Sequence, residues 1–235
     1  MDQRTSSWRV AALNKPKLRG VSHVIAFFVS IYTGWKLYNL APIGAKLPVL
    51  LYAVIFSLVF GASGLLHFPN WSPSTRKFLR QVDHSMIFLF IAATYTLSSL
   101  IPESNSFLVW FGWIGAIIGI LCKFLLFHKI EKAHKMVTAI PYAVMGWASI
   151  LEVPNITFYV SYLTINGILL MMFGGICYSL GALCYSMKKP NPFPKVFGYH
   201  EVLHLLVIVA NYSFYLVVVI LINSVVRLHS ENLPV

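Results

Sequence analysis

Long apolar stretches recur along this chain, and they constrain its fold more than any other feature. Each has about the length that an α-helix needs to cross a bilayer core, roughly 20 residues at 1.5 Å per residue. Seven are visible: Val21–Ala41, Pro48–His67, His84–Ile101, Phe107–Phe127, Met136–Leu151, Phe158–Met187 and Tyr199–Val226. Because only helices and closed barrels satisfy every backbone polar group in lipid, the stretches predict an all-α, integral-membrane bundle of seven transmembrane helices.

The composition supports the same fold class. Of the 235 residues, 58% are hydrophobic and only 11% are charged, which is far from the balance of a soluble domain. We expect a basic N-terminal segment at 1–20, one transmembrane domain at 21–227 and a short tail at 228–235. The first segment has no continuous apolar core, so no cleavable signal peptide is predicted. The expected location is a membrane crossed several times, the plasma (inner) membrane if the source is bacterial.

The distribution of Lys and Arg predicts which way the bundle faces. If the N-terminus is cytoplasmic, 15 of the 18 basic residues fall on the cytoplasmic side, and only Lys36, Lys46 and Arg227 fall on the other. We therefore predict a cytoplasmic N-terminus and an exterior C-terminus. The same bias accounts for the net charge of +11, because a basic cytoplasmic rim meets anionic lipid headgroups. No nucleic-acid module is recognisable, so membrane lipids are the expected partners.

Ionisable residues at the ends of these stretches form the candidate site, since polar groups are costly in a membrane. His200 and His204 open the last stretch. Residues four apart on a helix lie about 40° apart around the axis and about 6 Å along it, so both imidazoles address one point. In the predicted orientation, His67 ends the second stretch and Asp83 precedes the third, at the same depth just under the cytoplasmic surface.

The linker before Asp83 supports this placement. Ser72 followed by Pro73 is typical of an N-cap and the first residue of a helix. A helix that begins there carries Arg76 and Arg80 at the headgroups. Asp83 then lies about 15 Å along the axis from the start of the helix at Pro73, at 1.5 Å per residue.

Three imidazoles suit zinc, which takes nitrogen ligands in tetrahedral geometry and keeps its fourth position open at catalytic sites. The three cysteines lie within apolar stretches without Cys-x-x-Cys spacing, so no thiolate site is indicated. A catalytic zinc needs a nearby carboxylate as base, and Asp83 is the candidate. Ser63 precedes His67 by four residues on the same helix face, where its hydroxyl can bond the water or Asp83.

Simpler interpretations of the same residues stay open. The two histidines of the last stretch can be packing or interfacial residues. Asp83 can pair with Arg80 or His84, and Ser63 can be a small residue that lets helices approach. What favours a site is the coincidence that polar residues from three helices reach one depth.

Two further residues near the site receive provisional roles. His23 lies near the inner end of the first stretch and is interpreted as a packing residue. Glu201 is rotated off the face that carries His200 and His204, and we keep it as the alternative base.

Ser63-x-x-x-His67, Asp83 in Val82-Asp83-His84, and His200-x-x-x-His204 resemble, in order and spacing, the motifs of the haemolysin III and progestin/adipoQ receptor family. The run Lys15-Pro-Lys-Leu-Arg-Gly20 before the first stretch is similar to the shorter haemolysin III type. The resemblance covers essentially the whole chain. It implies a seven-helix bundle with a cytoplasmic N-terminus and zinc held near the inner leaflet by the residues matched by His67, His200 and His204. It also implies that Asp83 holds the zinc-bound water and that Ser63 assists.

The leading hypothesis is a zinc-dependent integral-membrane hydrolase of a lipid amide or ester bond, similar to the ceramidase-like activity proposed for the family. The alternative is a non-catalytic sensor of membrane lipids or fluidity, or a receptor-like protein, in which zinc is structural. Receptor members of the family carry a long cytoplasmic extension, whereas only about twenty residues precede the first stretch here, which disfavours hormone reception. A pore-forming haemolysin is a third reading, disfavoured because basic cytoplasmic loops are typical of a resident membrane protein.

The charge distribution makes a testable prediction about topology. A reporter active only outside the cytoplasm, fused after Val235, should be active, because the basic loops hold the N-terminus inside and seven spans put the C-terminus outside. The same reporter fused after Lys195 should be inactive. A cytoplasmic Val235 would contradict both the span count and the shared depth of the candidate ligands.

Overall fold

The computed structural model of this chain describes residues 15–102, 104, 106–126 and 135–231. Within them the order of α-helices is α1 (Val21–Leu40), α2 (Lys46–His67), α3 (Pro73–Thr96), α4 (Phe107–Leu125), α5 (Lys135–Trp147), α6 (Ile156–Met187) and α7 (Tyr199–Glu231). The described residues contain no β-strand, so the all-α class is confirmed. Parts of three predictions lie outside the described residues: 1–14 of the N-terminal segment, Phe127, and 232–235 of the tail.

Among the described residues, four helical stretches are long and apolar enough to cross a membrane. They are Ile43–His67, Phe107–Leu125, Val137–Met187 and Tyr199–Leu228. The helices α1 and α3 fall outside this set. Polar residues lower their mean hydropathy, such as His23 and Lys36 in α1 and Arg80 and Asp83 in α3. The count of seven spans, the cytoplasmic N-terminus and the domain boundaries stay predictions.

The start of α3 follows the predicted capping. Ser72 is the N-cap, and its Oγ accepts a hydrogen bond from the backbone N–H of Thr75 at 3.3 Å. Pro73 is the first helical residue, where its missing N–H costs nothing. The helix therefore begins well before the apolar stretch at His84 and carries Asp83 as expected.

The helices α5 and α6 are less regular than their apolar patterns suggest. The helix α5 contains Pro141 and gives way after Trp147 to a 3₁₀ segment, Ala148–Asn155. The long helix α6 is interrupted at Thr164, whose φ of 59° and ψ of 167° are not helical. The Oγ1 of Thr164 accepts the N–H of Gly167 at 3.4 Å, so this side chain caps the second part of the helix.

The main core surrounds α2. Its residues Val49, Tyr52 and Phe60 are buried in a cluster that includes side chains from α1, α3, α6 and α7. The helix α1 packs along α2 and also contacts α7. Its outer face presents large apolar side chains such as Phe28, which is 65% exposed, and a lipid-facing helix needs such a face.

The contact between α3 and α4 makes a prediction about packing. A Cβ at Gly119 would lie 2.5 Å from the ring of Phe88, which is only 2% exposed and has no room to move. Gly119→Ala should lower the thermal unfolding midpoint by several degrees, because overpacking costs about 1–3 kcal/mol. Gly146→Ala is the matched control, since a Cβ there meets nothing within 4 Å. Equal midpoints for the two variants would contradict this packing.

Candidate metal centre

Two helix ends bring three histidines together. The helix α2 ends at His67, and α7 carries His200 and His204 in its first two turns. The potential ligand nitrogens of the three side chains all lie within 4.8 Å of one another. The structure thus brings together the three residues that the sequence predicted as ligands, and we call them the histidine triad.

The distances within the triad suit a small metal ion. The Nε2 atoms of His67 and His200 are 3.1 Å apart. The ring centroids are 4.5 Å apart for His67 and His200, 5.1 Å for His67 and His204, and 4.6 Å for His200 and His204. Two imidazole nitrogens bound to one tetrahedral zinc at about 2.05 Å lie about 3.3 Å apart. A separation of 3.1 Å is also a hydrogen-bond distance, so a single shared proton can hold this pair as well.

The burial of the triad adds a second test of fit. His200 and His204 are 8% and 2% exposed, so their rings are largely removed from water. The Nδ1 of His204 is buried and has no hydrogen-bond partner among the described residues. An unsatisfied buried nitrogen is costly, and a bound metal is one way to remove that cost from an imidazole cluster. The donor set, its spacing and its burial therefore fit a metal ion.

Asp83 and Ser63 form a separate pair beside the triad. The Ser63 hydroxyl donates a hydrogen bond to the Asp83 carboxylate. Ser63 is buried and lies one helical turn before His67, as its spacing predicted. Asp83 is not part of the group of donor atoms within 4.8 Å of one another. Asp83 therefore lies outside the ligand group and is joined through Ser63 to the helix that carries His67.

Two residues near the triad were not predicted. His23 was interpreted as packing, but its ring stacks on His204 with centroids 3.8 Å apart. The ring of Tyr185 in α6 lies 5.3 Å from that of His200, edge to face. Neither residue has a second histidine or carboxylate three or four positions away, so no helical pattern in the sequence marked it as part of a site.

The surroundings of Glu201 argue against its role as the alternative base. One carboxylate oxygen pairs with Arg19, and the other accepts the backbone N–H of Gly198 at 2.7 Å. Asn191 accepts the next N–H, that of Tyr199, at 3.2 Å. Side chains thus satisfy the first N–H groups of α7 and fix its start. Glu201 is 2% exposed, so its function here is to anchor the helix that carries two triad histidines.

Basic side chains gather at this end of the bundle. The Lys15 ammonium donates to the backbone carbonyl of Phe68 at 2.7 Å, directly after His67. Burial, together with the neighbouring Arg19 and Arg76 charges, lowers the pKa of the Lys15 ammonium. The charges of Arg19 and Arg76 also act on His67. The approach to the triad is therefore electropositive, which favours anionic groups.

These features define a class: a helical membrane protein with several apolar helices and a histidine cluster that can hold a metal ion.

The family model described as Haemolysin-III related matches residues 11–215. The Bacillus cereus protein named Hemolysin-3 is 33% identical over 160 residues, which are 67% of this chain and 67% of that protein. The Hemolysin-3 homolog of Bacillus subtilis (strain 168) is 33% identical over 142 residues, 59% of this chain and 63% of that protein.

The chain belongs to the haemolysin-III related family, which confirms the resemblance found in its motifs. Family membership and the apolar helices make it a multi-pass integral membrane protein, of the plasma membrane in bacteria. The match includes all three triad histidines as well as Asp83 and Ser63, since all five lie within residues 11–215.

The triad makes a prediction about metal content. His200→Ala or His204→Ala should each remove most of the metal bound at the triad, because two imidazoles hold a metal ion far less tightly than three. Elemental analysis of the purified protein measures this. His84→Ala is the control, since His84 lies outside the triad, and it should keep the wild-type content. One metal ion per chain in both triad variants would exclude the site.

Proposed function

We propose that this protein is a zinc-dependent integral-membrane hydrolase that cleaves an amide or ester bond of a lipid. The observation that carries the proposal is the pairing of a buried histidine triad with a separate carboxylate, Asp83, that a hydrogen bond from Ser63 orients. Metal hydrolases need both parts: nitrogen ligands for the ion and a nearby base that is not itself a ligand.

His67, His200 and His204 would hold the ion. Among the described residues, the group has three imidazoles and neither a sulfur nor a fourth protein ligand. This donor set favours zinc in an open, catalytic arrangement over a closed structural one. When bound there, zinc supplies a Lewis acid that polarises a carbonyl and makes water a better nucleophile.

Asp83 would carry the proton through the reaction. Its carboxylate accepts a proton from the attacking water and later gives it to the leaving amine or alcohol, so one residue acts as base and then as acid. The Ser63 hydroxyl keeps the carboxylate in one orientation by donating to it. Tyr185, whose ring lies edge to face with that of His200, helps to define the walls of the site.

The substrate class follows from the position of the site. The triad lies at the ends of apolar helices, so a substrate reaches it most easily from the bilayer. An acyl chain would occupy space among the helices, while its polar end meets the basic side chains around Lys15 and Arg76. Anionic headgroups of surrounding lipids are further partners at this face.

The proposal includes the topology predicted from the sequence. Seven spans with a cytoplasmic N-terminus would put the triad just below the cytoplasmic surface. The basic residues at this end of the bundle support that orientation.

A sensor without turnover is the second candidate, and one observation favours it. The nitrogens of His67 and His200 are already at hydrogen-bonding distance, 3.1 Å, so the triad can also join α2 to α7 as a structural link. A metal ion whose coordination positions are all filled by ligands would then stabilise one arrangement of α2 and α7. The relatives' name, Hemolysin-3, adds lysis as a third reading, but lysis alone gives no reason for a buried triad beside a hydrogen-bonded carboxylate.

Asp83→Asn separates the enzyme from the sensor. The variant keeps the shape and a hydrogen-bonding group but cannot accept a proton, so zinc should stay while turnover falls by about 10² to 10⁴. The measurements are zinc content and release of fatty acid from a panel of lipid amides and esters. Glu152→Gln is the matched control, because Glu152 is another buried carboxylate, bonded to Asn155, and should leave turnover unchanged.

The alternative outcomes are distinct. Loss of zinc in Asp83→Asn would make Asp83 a fourth ligand and favour a structural metal. If the wild type releases no product from any lipid while Asp83→Asn alters membrane fluidity in cells, the hydrolase is replaced by the sensor.

A further inference from the structure

The two helices that supply the triad share few close backbone contacts. The helix α2, which carries His67, packs mainly on α1 and α3, and α7, which carries the other two histidines, packs mainly on α6. The helix α1 contacts both α2 and α7. Close backbone packing of α2 on α7 therefore contributes little to the spacing of the ligands. Residues Arg19–His23, where the chain enters α1, contact His67, His204 and Glu201, the residue next to His200.

The first contact is between Gly20 and His67. A Cβ on Gly20 would lie 2.6 Å from the Phe68 nitrogen and 2.9 Å from the Cβ of His67. The φ of Gly20 is 81°, a conformation that other residues rarely adopt. Both the approach to the end of α2 and the turn into α1 therefore require glycine.

The second contact is between Arg19 and Glu201, the neighbour of His200. This ion pair is largely buried, with the Glu201 side chain 2% and the Arg19 side chain 15% exposed. Breaking a buried pair by removing one partner leaves an uncompensated charge, so each member depends strongly on the other. Backbone bonds from Lys17 to Lys195 and from Leu18 to Val196, both at 3.1 Å, hold the same segment beside the start of α7.

The third contact is between His23 and His204. The rings are parallel within 9° and 3.8 Å apart, and the Nε2 of His23 is 3.3 Å from the backbone carbonyl oxygen of His204. His23 is 3% exposed and also packs edge to face on Phe60 of α2. One side chain of α1 thus touches both helices that carry ligands.

We infer that Arg19, Gly20 and His23 are positioning residues that hold the histidine triad in ligand geometry. Gly20 and His23 contact the ligands His67 and His204 directly, and Arg19 acts on His200 through its neighbour Glu201. The inference rests on the proposed metal site, and it assigns a task to the last residues of the Lys15–Gly20 motif and to His23. These residues do not touch the reacting atoms. They act through the positions of His67, His200 and His204.

The experiment uses the full-length protein in detergent and Co²⁺ as the probe metal, because its visible absorption reports both affinity and ligand geometry. Arg19→Ala, Gly20→Ala and His23→Ala should each bind Co²⁺ about 10 to 100-fold more weakly, the usual effect of losing a residue that orients a ligand. Their absorption bands should also change shape. Arg19→Lys, which keeps the charge but not the geometry, should recover part of the affinity.

A second measurement does not depend on a metal. In chelator-treated protein, the rate at which diethylpyrocarbonate modifies each triad histidine, read by mass spectrometry, should rise in the three variants. The matched controls are Lys17→Ala, an exposed side chain on the same segment, and Gly44→Ala, where a Cβ meets nothing within 4 Å. Both controls should behave as wild type in both measurements.

The outcomes distinguish this inference from the proposed function. Wild-type metal binding with unchanged affinity and unchanged histidine reactivity in all three variants would overturn the inference and leave the metal site standing. Affinity that falls only in step with the unfolding midpoint, with unaltered absorption bands, would also overturn it. If the wild type binds no Co²⁺ but the variants lose histidine protection, the metal site fails and the positioning role stands.

Discussion

The convergence of three imidazoles at the ends of α2 and α7 is the interaction on which the rest of this structure depends. The cluster brings nitrogens within 4.8 Å of one another in a part of the bundle that is largely removed from water. Such a cluster is unfavourable unless protons, a metal or neighbouring groups satisfy the nitrogens. The segment from Arg19 to His23 contacts both the start of α7 and the end of α2, and so links the two helices that carry the histidines.

The residues around the triad divide into groups with different chemistry. The histidines offer nitrogen ligands, and Asp83 with Ser63 offers an oriented carboxylate outside the ligand group. Glu201, which sits between two ligands in sequence, has its oxygens occupied by Arg19 and the Gly198 N–H. A carboxylate that is ion-paired and caps a helix is a poor proton acceptor, whereas a carboxylate that accepts a hydrogen bond from a hydroxyl, as Asp83 does from Ser63, is better suited to that role.

Much of this arrangement was predictable from local patterns. Apolar stretches gave the helices, Ser72 and Pro73 gave the start of α3, and the spacing of His200 and His204 gave a shared face. The contacts of His23, Arg19 and Tyr185 were not predictable, because each depends on how separate helices pack and none follows a helical period. The break at Thr164 was missed for a similar reason: its hydroxyl caps a helix inside a continuous apolar run, where composition gives no stop signal.

The central claim is that the triad holds a metal ion through three imidazoles with an open fourth position. X-ray absorption at the zinc edge of the purified, full-length protein tests it most directly, because it reports ligand type, number and distance. The account predicts nitrogen and oxygen neighbours only, at about 2.0 to 2.1 Å, with outer-shell scattering from three imidazoles. Sulfur at about 2.3 Å, or scattering from fewer than two imidazoles, would contradict it.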